Sequence, residues 1–185
     1  MIDAPKLALI AALAAERATL ARRLGADATI QLIQCGVGAA KARAGFELAR
    51  ASGADRVLLM GFAGGLGEAA SPGQVLVPRQ IRHLDGQLEV DGQWHQHICR
   101  SLASLAPATD PLWCVPSPLL DGKAKASYAD GAIGCDMESA GMLALATTEK
   151  IPAAVIKVVL DGPNDVVPPL AIEMTDANGD FRWPH

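Results

Sequence analysis

Three acidic side chains of this sequence follow apolar segments that are predicted to be strands, so a fold could bring them together to do chemistry. They are Glu16, Glu138 and Asp161. A set of carboxyl groups, one protonated and the others ionised, can provide a general acid and a general base. Each residue also has an ordinary interpretation: helix-dipole stabilisation for Glu16, helix capping for Glu138 and an Asx turn for Asp161.

Residues 135–140 (CDMESA) bring two carboxylates to the junction between a predicted strand and a predicted helix. Capping accounts for one of Asp136 and Glu138, because the helix macrodipole stabilises a carboxylate at this end. The second carboxylate and Met137 exceed what a cap requires, which leaves open a role in a binding site. Cys135 has no histidine next to it in the sequence and is predicted to be an ordinary buried thiol.

Residues 61–67 (GFAGGLG) follow an apolar strand, a position that would suit a dinucleotide-binding loop. Such a loop needs a helix immediately afterwards to hold the pyrophosphate, and here residues 71–73 (SPG) lead into another strand. Two interpretations remain: a tight turn, or a strand-end loop whose bare backbone lets a ligand approach closely. His95 and His97 lack a third ligand, so we predict no metal site and no cofactor.

The elements that must position these residues alternate in the first third of the chain. A strand–helix–strand–helix–strand order requires parallel strands with right-handed crossovers. The predicted elements are a strand at 6–13, a helix at 14–24, a strand at 28–35, a helix at 39–52 and a strand at 56–60.

The rest of the chain mixes strands and hairpins with helices. The predicted elements are a strand at 71–78, a hairpin within 79–93 with turns at Asp85-Gly86 and Asp91-Gly92, a helix at 95–106, a strand at 112–115, a helix at 123–129, a strand at 131–135, a helix at 138–150 and a strand at 153–160. The predicted class is α/β, a mixed central sheet with helices on both faces. If the strands at 6–13, 131–135 and 153–160 run in one direction, the three carboxylates converge at one sheet edge.

The composition excludes several classes of protein. Of 185 residues, half are hydrophobic and 19% are charged, with a formal net charge of −4, which predicts a single domain over 1–185 and excludes disorder. There is no basic stripe for nucleic acid, and no apolar stretch approaches the roughly 20 residues of a membrane span. The N-terminus shows no secretory signal and the four cysteines are far apart, so we predict reduced thiols and a cytoplasmic location.

Six short motifs, in this order, resemble the nucleoside phosphorylase superfamily and, within it, the methylthioadenosine/S-adenosylhomocysteine nucleosidases. They are AAE at 14–16, CGVGAAKA at 35–42, GFAGGL at 61–66, PGQVLV at 72–77, DMES at 136–139 and VVLD at 158–161. The resemblance runs from residue 6 to about residue 170 and implies the three-layer phosphorylase/hydrolase-like fold. The compressed middle of the chain and residues 161–169 (DGPNDVVPP) are most similar to the hopanoid-associated phosphorylases, a group understood to release adenine from adenosylhopane.

The resemblance implies a role for each acidic residue. Asp161 matches the general acid that protonates N7 of the purine, Glu138 matches the carboxylate that binds the ribose hydroxyls, and Glu16 matches the glutamate that activates water. Breaking an N-ribosidic bond puts positive charge on the sugar and negative charge on the base, which these groups would stabilise. Further substrate contacts are implied for Met137, Asp136, Phe62, Ala63 and Gly64. The implied substrate is an adenine nucleoside with an apolar 5′ substituent, and the implied assembly is a homodimer.

Two departures from the family bear on the nucleophile. Phosphorylases of the superfamily hold phosphate with an arginine and a serine, where this chain has Leu59 and Phe62. A phosphate dianion needs donors or cations, so the replacement favours water. Phosphate remains an alternative co-substrate, since a second set of residues could hold it: Gly36, Gly38, Lys41 and Arg43.

Two further expectations concern the chain end and catalysis. Family members usually end with another helix, whereas this sequence stops at residues 181–185 (FRWPH), so the resemblance implies a helix beyond the sequence given. The alternative to an enzyme is a nucleoside-binding protein of the same fold that has lost turnover, and the three carboxylates argue against it.

Overall fold

The computed structural model describes residues 6–25, 27 and 29–182, and within them nine strands form one sheet. The strands are β1 (Leu7–Ala11), β2 (Ile30–Gln34), β3 (Arg56–Gly65), β4 (Val75–Leu76), β5 (Gln80–His83), β6 (Gly86–Glu89), β7 (Leu112–Cys114), β8 (Gly134–Asp136) and β9 (Ala153–Asp161). Ala28, where the second strand is predicted to begin, and residues 183–185 at the chain end lie outside the described residues.

The helices of the described chain alternate with these strands. They are α1 (Ala14–Leu24), α2 (Ala39–Ala51), α3 (Gly92–Ser101), α4 (Gly122–Ala126), α5 (Ser139–Glu149) and α6 (Pro169–Glu173), with a 3-10 turn at Ala103–Leu105. Helix α1 has its predicted bounds, and α2 and α5 agree with prediction within one residue at each end. These helices carry the clearest apolar periodicity or the strongest stop signals, which explains the agreement.

Helices cover both faces of the sheet. On one face, α2 and α5 pack on the central strands through side chains such as Phe46 and Met142. On the other face, α1 and α3 pack through Leu24 and Ile98. The predicted α/β class, with a mixed central sheet between two helical layers, is confirmed.

Strand β3 is the centre of the sheet and is longer than predicted. It pairs in parallel with β1 along one edge and with β9 along the other. The prediction ends this strand at residue 60, whereas it continues through the glycine-rich residues 61–65, because β8 and β9 supply hydrogen-bond partners for that backbone. The tight-turn interpretation of residues 61–65 is therefore wrong.

Strand β8 runs antiparallel to β3, so the premise that the three carboxylate-bearing strands share one direction is wrong. Cys135 pairs with Gly64, and Gly134 pairs with Gly65. The chain that follows β8 therefore returns along β3 toward Gly61. This reversal, and not a common strand direction, carries Glu138 toward the start of α2.

Two smaller elements also differ from prediction. The strand predicted at 71–78 is reduced to the two residues of β4, because a turn precedes it in which the N–H of Gln74 bonds to the carbonyl of Ser71. The turn predicted at Asp91-Gly92 is the start of α3, where the Asp91 carboxylate accepts a hydrogen bond from the N–H of Trp94 at 2.7 Å. Asp91 is thus a helix cap.

Candidate active site

Glu16 lies in the first turn of α1 and is buried against the backbone of β3. Its Oε1 accepts a hydrogen bond from the N–H of Phe62 at 2.8 Å, and its Oε2 accepts one from the N–H of Leu13 at 2.8 Å. Glycine at position 61 makes room for this carboxylate, because a Cβ there would stand 2.8 Å from Glu16 Cδ. The carboxylate is therefore fixed on the glycine-rich part of β3, and each oxygen keeps a lone pair for a further donor.

Glu138 directly precedes α5 and reaches the start of α2. Its Oε1 accepts a hydrogen bond from the N–H of Gly38 at 2.9 Å. The two helices approach closely at this point, because a Cβ on Gly141 of α5 would stand 2.7 Å from Ala39 Cα. Glu138 makes no capping hydrogen bond with its side chain. Its carboxylate is thus held between two helix starts without serving as the cap of α5.

Asp136 takes the capping role that the sequence left open between the two acidic residues. Its carboxylate accepts hydrogen bonds from the N–H of Ser139 at 3.2 Å and from the hydroxyl of Ser139 at 2.6 Å. Asp136 is buried and also pairs with Lys157, whose Nζ is 3.0 Å from Oδ2. Asp136 therefore shares Lys157 with Glu138.

Lys157 lies in the middle of β9 and is fully buried between the two carboxylates. Its Nζ is 3.4 Å from Glu138 Oε2 as well as close to Asp136. Burial alone would lower the pKa of Lys157, but the charges of Asp136 and Glu138 raise it above its ordinary value, so the side chain stays an ammonium. Burial, with the charge of Asp136 adding to it, raises the pKa of Glu138. When ionised, the three groups carry one net negative charge, which suits a positive charge developing beside them.

Asp161 is the last residue of β9 and lies beside Gly64 of β3. A β-bulge between Ala63 and Gly64 leaves Leu160 as the extra residue on β9. The bulge inverts the alternation of faces, so Asp161 does not share the face of Lys157. The side chain is 24% exposed, which leaves it accessible to a ligand.

Lys125 of α4 is a second buried cation, and it contacts Asp161 directly. Its Nζ donates to Asp161 Oδ2 and to the carbonyl oxygen of Gly162. A third contact runs to the carbonyl oxygen of Asp165 at 3.4 Å. The general-acid candidate therefore accepts a hydrogen bond from an ammonium that is only 1% exposed.

Glu16 and Asp161 flank the bare backbone of β3. Glu16 is anchored at Phe62 and Asp161 lies at Gly64, which are two residues, or about 7 Å, apart at the ~3.3 Å rise of a strand residue. The side chain of Phe62 is 42% exposed beside them, Ala63 is buried, and Met137 is half-buried in a cluster with Cys135. The structure thus brings these predicted substrate-contact residues to the same end of β3.

Cys135 lies close to Asp161 but does not have the character of a nucleophile. Burial, aided by the charges of Asp136 and Asp161, raises its pKa to about 12. The thiol is therefore protonated at neutral pH, as expected for a buried structural cysteine.

Three of the four residues predicted as an alternative phosphate site, Gly36, Gly38 and Lys41, already donate hydrogen bonds within the protein. The N–H of Gly36 donates to the carbonyl of Ala12, and the N–H of Gly38 donates to Glu138. Between them, the N–H of Val37 donates to the carbonyl of Ala177. Lys41 Nζ donates to the side-chain oxygen of Asn178 at 2.9 Å. We call residues 176–180 the C-terminal strap, since they lie over the start of α2. Arg43 is exposed and does not join this group.

Comparison with known proteins identifies the family. The model of the phosphorylase superfamily matches residues 13–179, most of the chain. The chain belongs to the phosphorylase superfamily. The prediction that it is an enzyme of this superfamily is confirmed by the match. No curated protein sequence matches the chain at a significant level.

Solved structures share the fold of this superfamily member. The Helicobacter pylori 5′-methylthioadenosine/S-adenosyl homocysteine nucleosidase has 15% identity and a TM-score of 0.79, with 87% of each chain covered. The S. pneumoniae nucleosidase has 20% identity and a TM-score of 0.76, with 86% of each chain covered. The futalosine hydrolase of Helicobacter pylori has 14% identity and a TM-score of 0.79, covering 87% of this chain and 86% of that chain. At these identities the likeness shows the fold.

Lys125 and Lys157 are the site residues of this phosphorylase superfamily member that the sequence did not predict. A signal for Lys157 was present, because a charged residue inside the apolar run AAVIKVVL must find a partner when the strand is buried. Lys125 offered no comparable signal. It lies two residues from the exposed Lys123 in a short alanine-rich helix, and nothing in the sequence shows which of the two faces inward.

Two features are absent from the described residues. No group of three or more histidine, cysteine, aspartate or glutamate residues among them could hold a metal ion. Within the same part of the chain, no helix is both long and apolar enough to cross a membrane.

Proposed function

We propose that this phosphorylase superfamily member cleaves the N-glycosidic bond of an adenine nucleoside by hydrolysis. The observation that carries the proposal is the placement of Glu16, Glu138 and Asp161 around the glycine-rich end of β3. Each is held by named donors, and the glycines at positions 61, 64 and 65 leave this end of β3 without side chains at three positions. The similar Helicobacter pylori and S. pneumoniae proteins are nucleosidases by name, which supports the same class of substrate here.

The reaction follows from the division of roles among the carboxyl groups. Asp161 donates a proton to N7 while the bond between C1′ and N9 breaks, and the electron pair of that bond stays with the departing adenine. Positive charge on the ribose is stabilised by Glu138, whose cluster with Asp136 and Lys157 has a net negative charge. Glu16 takes a proton from water as its oxygen bonds to C1′. The products are adenine and the free sugar. Glu16 then releases its proton to solvent, and Asp161 takes one up from solvent.

Water is favoured over phosphate by the contacts of the strap. Phosphate would need the N–H groups of Val37 and Gly38 and the ammonium of Lys41, and each already donates to a protein oxygen. Displacing the Gly38 bond would take a donor from the buried Glu138 carboxylate, at about 1–3 kcal/mol. Water needs only one oriented carboxylate, and Glu16 supplies it.

The 5′ substituent of the proposed substrate is apolar. Phe62 is 42% exposed and Leu160 is 59% exposed, and these large apolar side chains stand at the end of β3 and β9 next to the carboxylates. Exposed apolar surface beside a polar site favours a ligand with an apolar extension. Substrates of the methylthioadenosine or S-adenosylhomocysteine type and of the adenosylhopane type both fit this requirement.

A homodimer is proposed for the same reason. Two clefts among the described residues, one lined by Asp91 and Ile151 and the other by Arg17 and Leu32, contain none of the three carboxylates. A partner subunit would cover the exposed apolar side chains and close the site. Light scattering of the purified protein tests this assembly, and a monomer at working concentrations would contradict it.

A single experiment separates the enzyme from the nucleoside-binding alternative. Wild-type protein and the Asp161→Asn variant are incubated with methylthioadenosine, and adenine release and ligand binding are measured in parallel. We expect both proteins to bind and the variant to lose about 10²–10⁴ in turnover, the usual contribution of a general acid. Binding by wild type without adenine release from any of several 5′-substituted nucleosides would favour the binding protein.

A further inference from the structure

We propose that Lys125 is a positioning residue for Asp161: it binds one oxygen of the carboxyl group, turns the other toward the purine, and stabilises the carboxylate that remains after proton transfer. This inference rests on the proposed function, since it takes Asp161 as the acid. The motifs that carry the family resemblance assign Lys125 no role.

The surroundings of Lys125 fix its ammonium group completely. An ammonium has three N–H donors, and Nζ has three acceptors: Oδ2 of Asp161 and the carbonyl oxygens of Gly162 and Asp165. Only Asp161 among these acceptors has an ionisable side chain. Within the described part of the chain, no hydrogen bond reaches Oδ1 of Asp161, so this oxygen is the one available to a base.

The backbone on both sides of the pair is also tied down. Helix α4 begins at Asp121, whose carboxylate accepts from the N–H of Ala124 at 2.8 Å. The loop after β9 is closed by the Asp165 carboxylate, which accepts from the N–H of Gly162 at 2.7 Å. The geometry thus suits precise placement of Asp161, but it also admits an explanation in which Lys125 only holds the loop.

The charge of Lys125 distinguishes these explanations, because its effect depends on the protonation of Asp161. An ammonium attracts a carboxylate more strongly than a neutral carboxyl group. Asp161 is neutral before proton transfer and gains negative charge as the proton leaves, so the attraction grows toward the transition state. An interaction of that kind raises kcat and has little effect on KM.

The experiment compares Lys125→Met and Lys125→Arg with the matched control Lys123→Met, an exposed lysine on the same helix. Steady-state kcat and KM for adenine release from methylthioadenosine are measured for each protein. We expect Lys125→Met to lower kcat about 10- to 100-fold, part of the general-acid contribution, with KM within about threefold. Lys125→Arg keeps the positive charge and should recover most of the lost kcat, and Lys123→Met should behave as wild type.

A kcat within threefold of wild type in a folded Lys125→Met protein, or a loss in KM alone, would overturn the inference. If Lys125→Met does not fold, the double variant Lys125→Met/Asp161→Asn removes both charges and is compared with Asp161→Asn. Equal kcat values are expected, because Lys125 acts through Asp161, and a further tenfold loss would contradict this. Failure of the proposed function looks different: wild type itself would release no adenine.

Discussion

Replacing Gly61 with alanine should displace Glu16 and lower turnover without unfolding the protein. The new Cβ would stand 2.8 Å from Glu16 Cδ, which is 0.6 Å short of the 3.4 Å at which ordinary contact begins, and it would stand closer still to Glu16 Oε1. Glu16 must therefore retreat by more than 0.6 Å, which stretches its 2.8 Å bond to the N–H of Phe62 toward the limit of a hydrogen bond. A displacement approaching 1 Å can cost about 10²-fold in rate when the geometry of the reacting groups matters.

The assay is kcat/KM for adenine release, with Gly67→Ala as the matched control. A Cβ on Gly67 would meet its nearest atom, Ala132 O, at 3.7 Å, so that variant should behave as wild type. We expect Gly61→Ala to lose about 10²-fold and to keep its nucleoside affinity. In a Glu16→Gln background the same change should cost nothing further, because both act through one carboxylate. Activity within threefold of wild type would refute the placement of the base on β3.

Three further changes test other parts of the site. Glu138→Gln should slow cleavage of ribonucleosides more than of 2′- or 3′-deoxy analogues, and equal losses in kcat/KM would contradict a contact with a ribose hydroxyl. Lys157→Met should lower the free energy of unfolding in urea by about 3–5 kcal/mol, because it leaves buried carboxylates unpaired. Adding Asp136→Asn should recover part of this loss. A loss under about 1 kcal/mol would contradict the pairing. Iodoacetamide at pH 8 should label Cys99 before Cys35 and Cys135, since burial raises the pKa of the latter two to about 12. Labelling is followed by mass spectrometry, and rapid labelling of Cys135 would contradict its burial.

Local patterns in the sequence were sufficient for most of the fold. The first five elements and α5 follow from apolar runs, glycine stops and spacing, which act over a few residues. The length of β3 did not follow, because glycines at 61, 64 and 65 have low strand propensity and only long-range pairing stabilises them as a strand. The direction of β8 is likewise decided by its partner in the sheet.

The candidate site was predictable where a motif marks it and not where tertiary contacts complete it. Glu16, Glu138 and Asp161 were selected from the sequence, and the structure places them around one strand end; their catalytic roles remain predictions. The bulge at Leu160, which turns Asp161 to its own face, has no local signature in VVLD. Lys125 meets Asp161 from 36 residues away, so only the folded chain shows the pair.

The sequence also did not predict that the strap would bind the start of α2. Gly36, Gly38 and Lys41 have the residue types of an anion site, and their spacing predicted one as an alternative. The structure shows that acceptors from Glu138, Ala177 and Asn178 engage Gly38, Val37 and Lys41. Residues so far along the chain cannot be matched to these donors by pattern alone.

The most direct test of the central proposal is adenine release from methylthioadenosine in phosphate-free buffer, with the sugar product identified by mass spectrometry in ¹⁸O-labelled water. We expect release without phosphate, a free sugar that carries one ¹⁸O atom at C1′, and no change in rate when phosphate is restored. Strict dependence on phosphate with a sugar 1-phosphate product would contradict hydrolysis. It would show that the N–H of Val37 and the ammonium of Lys41 leave their acceptors in the strap to bind the anion. No adenine under either condition, with this and other 5′-substituted adenine nucleosides, would contradict the enzyme assignment itself.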